Sequence, residues 1–178
     1  MKLDNNTLEY FKAINDGCNT IEFTYDKKNS LYIPLFSAYI EQCIAIHVLD
    51  KEELTSSAFA LARPMVESYS RAMWVKYCLD EAKIEEGCEQ LHFPKKLEFL
   101  LSSVGDAGVD GDRFHDFKPA IEPIMSNMHD FTHGGVQSIA RQYGNDGHLS
   151  SPRSREERDE LLKLAILTSS LSYENLTL

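Results

Sequence analysis

The sequence lacks most of the features that declare a function outright. Its 178 residues contain no P-loop, no G-x-S-x-G elbow and no dinucleotide fingerprint. Cysteine is scarce: Cys18, Cys43, Cys78 and Cys88 are the four, and none sits in C-x-x-C spacing. Reduced, mostly buried thiols of a cytosolic protein are expected from that usage. No apolar run approaches the roughly 18 to 20 residues of a transmembrane helix. The opening "MKLDNNTLEYFKAIND" has neither an apolar h-region nor a cleavage-like site, so no signal peptide is expected. The reading is a cytoplasmic protein with no membrane association. Positive charge is short as well, with 18 Lys and Arg against 28 Asp and Glu and a net charge of −10. Phosphate backbones are bound through Lys and Arg, so general nucleic-acid binding is not expected, although a local basic patch can survive inside an acidic total. There is no internal repeat and no low-complexity segment.

What is present is helical periodicity. Residues 4 to 16 read as a short amphipathic helix capped by Asp4, with Leu8, Phe11 and Ile14 at near-helical spacing. "TIEFTY", residues 20 to 25, alternates like a short strand without a partner. From Ser30 to Leu49 the pattern is helical again, with Ser30 as N-cap and Pro34 in the first turn. Residues 52 to 79, "EELTSSAFALARPMVESYSRAMWVKYCL", read as one long central helix kinked at Pro64 and apolar nearly all round from Ala58 on. Residues 80 to 93 read as a charged loop or short helix. Pro94 then opens "PKKLEFLLSS", and "VGDAGVDGD" reads as a loop. Pro119 and Pro123 mark helix starts or kinks before "IMSNMHDFTH", which buries Ile124, Met128 and Phe131. Gly134 and Gly135 end that helix or open "VQSIARQY". Ser154 with Glu157 forms a capping box for a last helix reaching about Asn175, with Leu161, Leu164, Ala165, Leu167 and Thr168 inward. The sum is an all-α fold: a single-domain bundle of about six or seven helices over residues 1–178. Residues 1–29 supply an N-terminal helix and an irregular segment, and 30–178 the bundle core.

Two polar constellations interrupt this apolar pattern. Arg63, Glu67 and Arg71 recur at i, i+4 and i+8 and share one side of the central helix, with Ser70 and Trp74 close by. Guanidinium groups flanking a carboxylate hold it ionised and oriented, which suits an anion or substrate clamp and equally suits an ion-pair network fixing helix packing. The stretch "MHDFTHGG" holds His129, Asp130 and His133. Histidines at i and i+4 point the same way and can share a metal. A third ligand is needed, and His47 on an earlier helix is the candidate for it. The alternatives are two histidines at a helix end facing the dipole, or an acid–base and anion site. In the latter, the Gly134–Gly135 backbone would cradle the anion and Arg63 and Arg71 would complete the pocket. His129, His133 and Glu67 are the candidates for any catalytic proton transfer. The Asp106, Asp110 and Asp112 loop lacks EF-hand spacing. No cofactor is expected.

"RQYGNDGH" spaces Arg141 and His148 at the upper limit of the Arg-x4–6-His motif of HEPN-type ribonucleases, small dimeric helical bundles. Gly144 and Gly147 make it a loop, where that motif sits on or beside a helix. At "LARPMVESYSRAMW" and "MHDFTHGG" the chain resembles a bacterial family of unknown function. That family has an Arg-Pro-x-x-Glu helix followed by a His-x-x-x-His-Gly-Gly segment. The resemblance covers roughly residues 30 to 175 and implies an all-helical bacterial cytoplasmic domain, distantly like the HEPN and abortive-infection groups. It carries Arg63, Glu67, Arg71, His129, His133, Gly134 and Gly135 over as signature positions and brings no settled activity.

The leading expectation is a ligand-binding or interaction module for a small-molecule or protein partner, in a stress or phage-defence setting. It is built on Arg63, Glu67, Arg71, His129 and His133, and it requires these two groups to meet. Beside it stand a HEPN-like ribonuclease, a metal-dependent bundle hydrolase using His47, His129 and His133, and a purely structural network. A homodimer is expected only from the general frequency of two-fold pairs.

Overall fold

The computed structural model describes residues 5–20, 26–84, 93–94, 96–107, 112–144, 147–148 and 154–176. Among these, eight α-helices and no β-strand occur: α1 (Asn5–Thr20), α2 (Asn29–Lys51), α3 (Thr55–Ala60), α4 (Ala62–Cys78), α5 (Leu97–Asp106), α6 (Asp112–His133), α7 (Val136–Ala140) and α8 (Arg155–Leu176). A 3₁₀ turn, Glu81–Lys83, follows α4, with Asp80 accepting from the Ala82 N–H. The all-α expectation holds. Asp4, residues 21 to 25 of the expected strand, and Cys88 lie outside the described residues.

α4 is central because its residues are apolar on most sides. Met65, Val66, Tyr69, Ala72, Met73 and Val75 are all buried, and the helix packs on α2, α3, α5, α6 and α8. Tyr69 joins the layers, its ring 5.3 Å from Tyr39 of α2 on one side and 5.3 Å from Phe117 of α6 on the other. Fully burying side chains of this size contributes on the order of 1.5–3 kcal/mol each. The Tyr39 hydroxyl donates to Thr168 Oγ1 at 2.7 Å, which ties α2 to α8 without stranding a polar group in the core.

The expected long helix over 52–79 is two helices, α3 and α4, broken at Leu61. Pro64 has no N–H to offer the Ala60 carbonyl, and its ring crowds that carbonyl. The Thr132 hydroxyl of α6 comes within 3.2 Å of it, while lying 2.9 Å from the Met128 carbonyl of its own helix. The break therefore becomes a docking point for α6.

Several local expectations change. α2 begins at Asn29, and Ser30 does not cap it. The Asp26 carboxylate accepts from the Asn29 backbone N–H at 2.6 Å and from its Nδ2 at 2.8 Å. Ser30 Oγ donates to the Lys27 carbonyl. Pro34 stands inside α2, beyond the first turn. By length and composition alone α2 is apolar enough to cross a membrane. Here Tyr32, Phe36, Tyr39, Ile40, Cys43, Ile46 and His47 of this helix are buried. Asp106 belongs to α5 and Asp112 to α6. α6 starts at Asp112 and runs through Pro119 and Pro123. The capping box of α8 forms as expected, with the Ser154 N–H donating to Glu157 Oε2 at 3.0 Å and the Glu157 N–H to Ser154 Oγ at 3.2 Å. Leu167, expected inward, is 44% exposed.

Candidate functional site

α4 presents the first half of the site. Arg63 Nε donates to Glu67 Oε1 at 2.7 Å, and Arg71 Nη2 donates to Glu67 Oε2 at 3.1 Å. The three side chains are 29, 23 and 34% exposed, so the row is half-buried. The Arg71 guanidinium lies over the Phe93 ring at 5.9 Å, and Phe93 meets Trp74 edge-on at 6.2 Å. Apolar surface thus closes that end. Ser70, expected beside the row, is buried and donates to the Val66 carbonyl instead.

α6 presents the second half at its C-terminus. Met128 is buried and Phe131 half-buried, while His129 and His133 are exposed. At 100° per residue the two sets lie on opposite sides of the helix. Gly134 takes φ +68°, a left-handed conformation that glycine adopts without a Cβ penalty. The Gly135 N–H then donates back to the Asp130 carbonyl at 2.8 Å, closing a Schellman turn. A Cβ at Gly135 would stand 2.5 Å from Asp130 Cγ, so the Asp130 carboxylate lies directly against this glycine. The anion cradle expected at Gly134–Gly135 is not formed: the Gly135 N–H is committed, a carboxylate already stands there, and α7 is only one turn long. His133, in the last turn of α6, faces the negative end of the helix dipole.

The two halves meet where Arg63 Nη1 lies 2.9 Å from His129 Nδ1. A guanidinium carries only donors. His129 Nδ1 must therefore accept, and the neutral ring carries its proton on Nε2. The His133 ring centroid lies 4.6 Å from that of His129, so His133 joins the row through its neighbour. Both Glu67 oxygens already accept from guanidinium groups, and His129 Nδ1 is occupied. The polar atoms left over, the remaining Arg nitrogens and His129 Nε2–H, are donors, and Arg71 Nε among them is buried without a partner.

His47 is elsewhere. It is 2% exposed, and neither ring nitrogen has a hydrogen-bond partner. Burial pushes its imidazole below the ordinary value, Lys51 pushes in the same direction, and Asp50 opposes. Among the described residues no three His, Cys, Asp or Glu side chains converge as metal ligands. His47 does not complete a triad with His129 and His133. Arg141 Nη1 is held by Glu157 Oε1 at 2.6 Å, and His148 is exposed in a bend, its carbonyl accepting from the Gly144 N–H. Burial pushes the Cys43 thiol up to about 12 and raises Cys18 and Cys78, which disfavours the thiolate at all three.

A cleft of about 690 Å³, absent from the sequence reading, opens on the other side of α6. Its floor is Phe59 and Ala62. Met128 and Phe131 form one wall, and Leu161, Leu164 and Leu167 form the other. Met128, Phe131 and these leucines were legible as helix stripes. A stripe lining an open groove reads the same as one facing a core. None of the Arg63, Glu67, Arg71, His129 or His133 side chains lines the cleft.

The molecule is thus an all-helical bundle with a half-buried donor-rich row beside an apolar cleft. The model of a family of unknown function (DUF6988) matches residues 36–104. This is less than half of the chain. It spans α2 to α5 and includes Arg63, Glu67 and Arg71, but not the histidine segment. No curated protein and no solved structure matches the chain.

Proposed function

We propose that the chain is a binding module that recognises a small anion, a carboxylate or phosphate group, at the row Arg63–Glu67–Arg71–His129–His133. The observation that carries this reading is the 2.9 Å contact between Arg63 and His129, which unites two groups 66 positions apart in sequence. Once the internal bonds are counted, the remaining polar atoms of Arg63, Arg71 and His129 are donors. An acceptor-rich anion is their complement. Catalysis is the weaker use of the same atoms. A general base needs a lone pair aimed at substrate, and each Glu67 oxygen and His129 Nδ1 already accept from an arginine.

The test is titration with inorganic phosphate and with acetate, followed by calorimetry and by the imidazole resonances of His129 and His133. Binding that shifts both rings is expected. Arg63→Gln should weaken it about tenfold or more, the scale of a hydrogen bond to a charged group. If neither anion perturbs the rings, the reading fails. A purely structural row would instead show lower stability in Glu67→Gln and His133→Gln, with no binding to lose.

A further inference from the structure

We propose that the cleft between α6 and α8 is a second binding site, for an amphiphile with an aliphatic body and one protonated amine. This reaches beyond the anion row, which lies on the opposite side of α6. The cleft of about 690 Å³ is open to solvent on one side and lined mostly by apolar side chains. It falls in the range of small-molecule sites, roughly 300–1,000 Å³. Its position follows from the fold. α6 is seated on the α3–α4 break by Thr132, and α8 is seated on α2 by Tyr39–Thr168. The cleft opens between these two seatings, with Met128 and Phe131 on one side and Leu161, Leu164 and Leu167 on the other. Leu167, 44% exposed, and the half-buried Phe59 and Phe131, whose rings meet edge-on at 5.6 Å, present apolar surface to the cleft.

The rim decides the head group. Five charged side chains stand there: Arg141, Glu156, Glu157, Glu160 and Lys163. Both cations are spent. Arg141 pairs with Glu157 at 2.6 Å, and Lys163 pairs with Glu160 at 2.6 Å. Glu156 has no ion-pair partner among the described residues. Hydrogen bonds from its own backbone and from Ser154, with the charge of neighbouring Arg155, hold its carboxyl below the usual carboxylate range. Two cations against three carboxylates leave the lining side chains of the rim net negative. A fatty carboxylate would meet it unfavourably and an alkylamine favourably, while the aliphatic body is taken up by leucine and phenylalanine walls.

The experiment uses the full chain at pH 7 with three ten-carbon probes below their micellar concentrations: decylamine, decanol and decanoate. Calorimetry gives affinity and stoichiometry. One molecule per chain is expected, in the order decylamine, decanol, decanoate. Each step should be about two- to five-fold, the scale of an exposed charge pair, and should shrink at high salt. Glu156→Gln should bring decylamine down toward decanol. Leu167→Ser, at a position 44% exposed, should weaken all three together. Decanoate binding tightest, equal affinities, no binding of any probe, or binding indifferent to Leu167→Ser overturns the proposal. So does a concentration-dependent dimer in sedimentation that Leu167→Ser dissolves, because the cleft would then be the seat of a second copy.

Discussion

Replacing Thr132 by Val removes one hydroxyl and keeps the shape. In the wild type that hydroxyl lies 3.2 Å from the Ala60 carbonyl, which Pro64 deprives of its helical donor. The Met128 carbonyl, 2.9 Å away, is the usual back-bonding partner of a threonine in a helix and has a backbone donor of its own. The cost of Thr132→Val therefore resides at Ala60. A net hydrogen bond and a partly buried carbonyl left unsatisfied together come to about 1–2 kcal/mol. For a chain of this length, that is a fall of about 2–8 °C in Tm. Pro64→Ala restores an N–H at the right place. In that background Thr132→Val should cost about 1 kcal/mol less, a coupling measurable by a double-mutant cycle in urea. The same cycle should move the His129 ring resonances, because Thr132 sets the seating of α6 that brings His129 to Arg63. Strict additivity of the two substitutions, within about 0.3 kcal/mol, would refute the account of both the helix break and the seating.

Four further outcomes follow from the same geometry. His47 is buried neutral, with a folded value below 6.5. The unfolded chain takes up the proton first, so its contribution to stability is present above about pH 6.5 and is lost as pH falls through the folded value. Urea midpoints of wild type should drop over that window, and His47→Leu should flatten the slope. Gly134→Ala, at φ +68°, should cost about 1–2 kcal/mol. Gly135→Ala should cost more through its clash with Asp130, and Asp130→Ala should relieve part of that loss on calorimetric melting. Long-range ¹H–¹⁵N spectra at neutral pH should show His129 with its proton on Nε2, and Arg63→Gln should release that preference. Arg158→Ala removes two bonds to Asp50, at 2.6 Å to its carboxylate and 2.8 Å to its carbonyl. About 1–2 kcal/mol of stability should go with them, and less in high salt because the pair is partly exposed.

The bundle was legible because its signals are local. The apolar run of α4, the Ser154–Glu157 box and the stripe Met128–Phe131 each follow from spacings of a few residues. Breaks and caps were harder. Pro64 announced a disturbance, but the break falls three residues earlier, where the lost bond is. Asp26 was overlooked as the capping residue of α2 because Ser30, nearer the apolar run, offered a hydroxyl. Both halves of the polar row were also visible in the sequence. Their meeting was not, because it depends on how α6 is seated across the α3–α4 break. His47 was grouped with the wrong partners for the same reason: helical spacing fixes direction within a helix but not distance between helices. The cleft was invisible because it is defined by what two helices fail to touch.

Glu157 has a consequence for the connection between α7 and α8. One carboxylate caps α8 at the Ser154 N–H and also holds Arg141 just past the end of α7. Both ends of the intervening segment are thereby pinned to each other, like a drawstring at its neck. Loop-closure entropy grows only with the logarithm of length, so doubling that segment costs about 0.6 kcal/mol. A fluorophore-bearing insert or a new pair of chain termini placed between Arg141 and Ser154 leaves the two helices where they are. It also sets a reporter beside the cleft, whose rim Arg141 and Glu157 share.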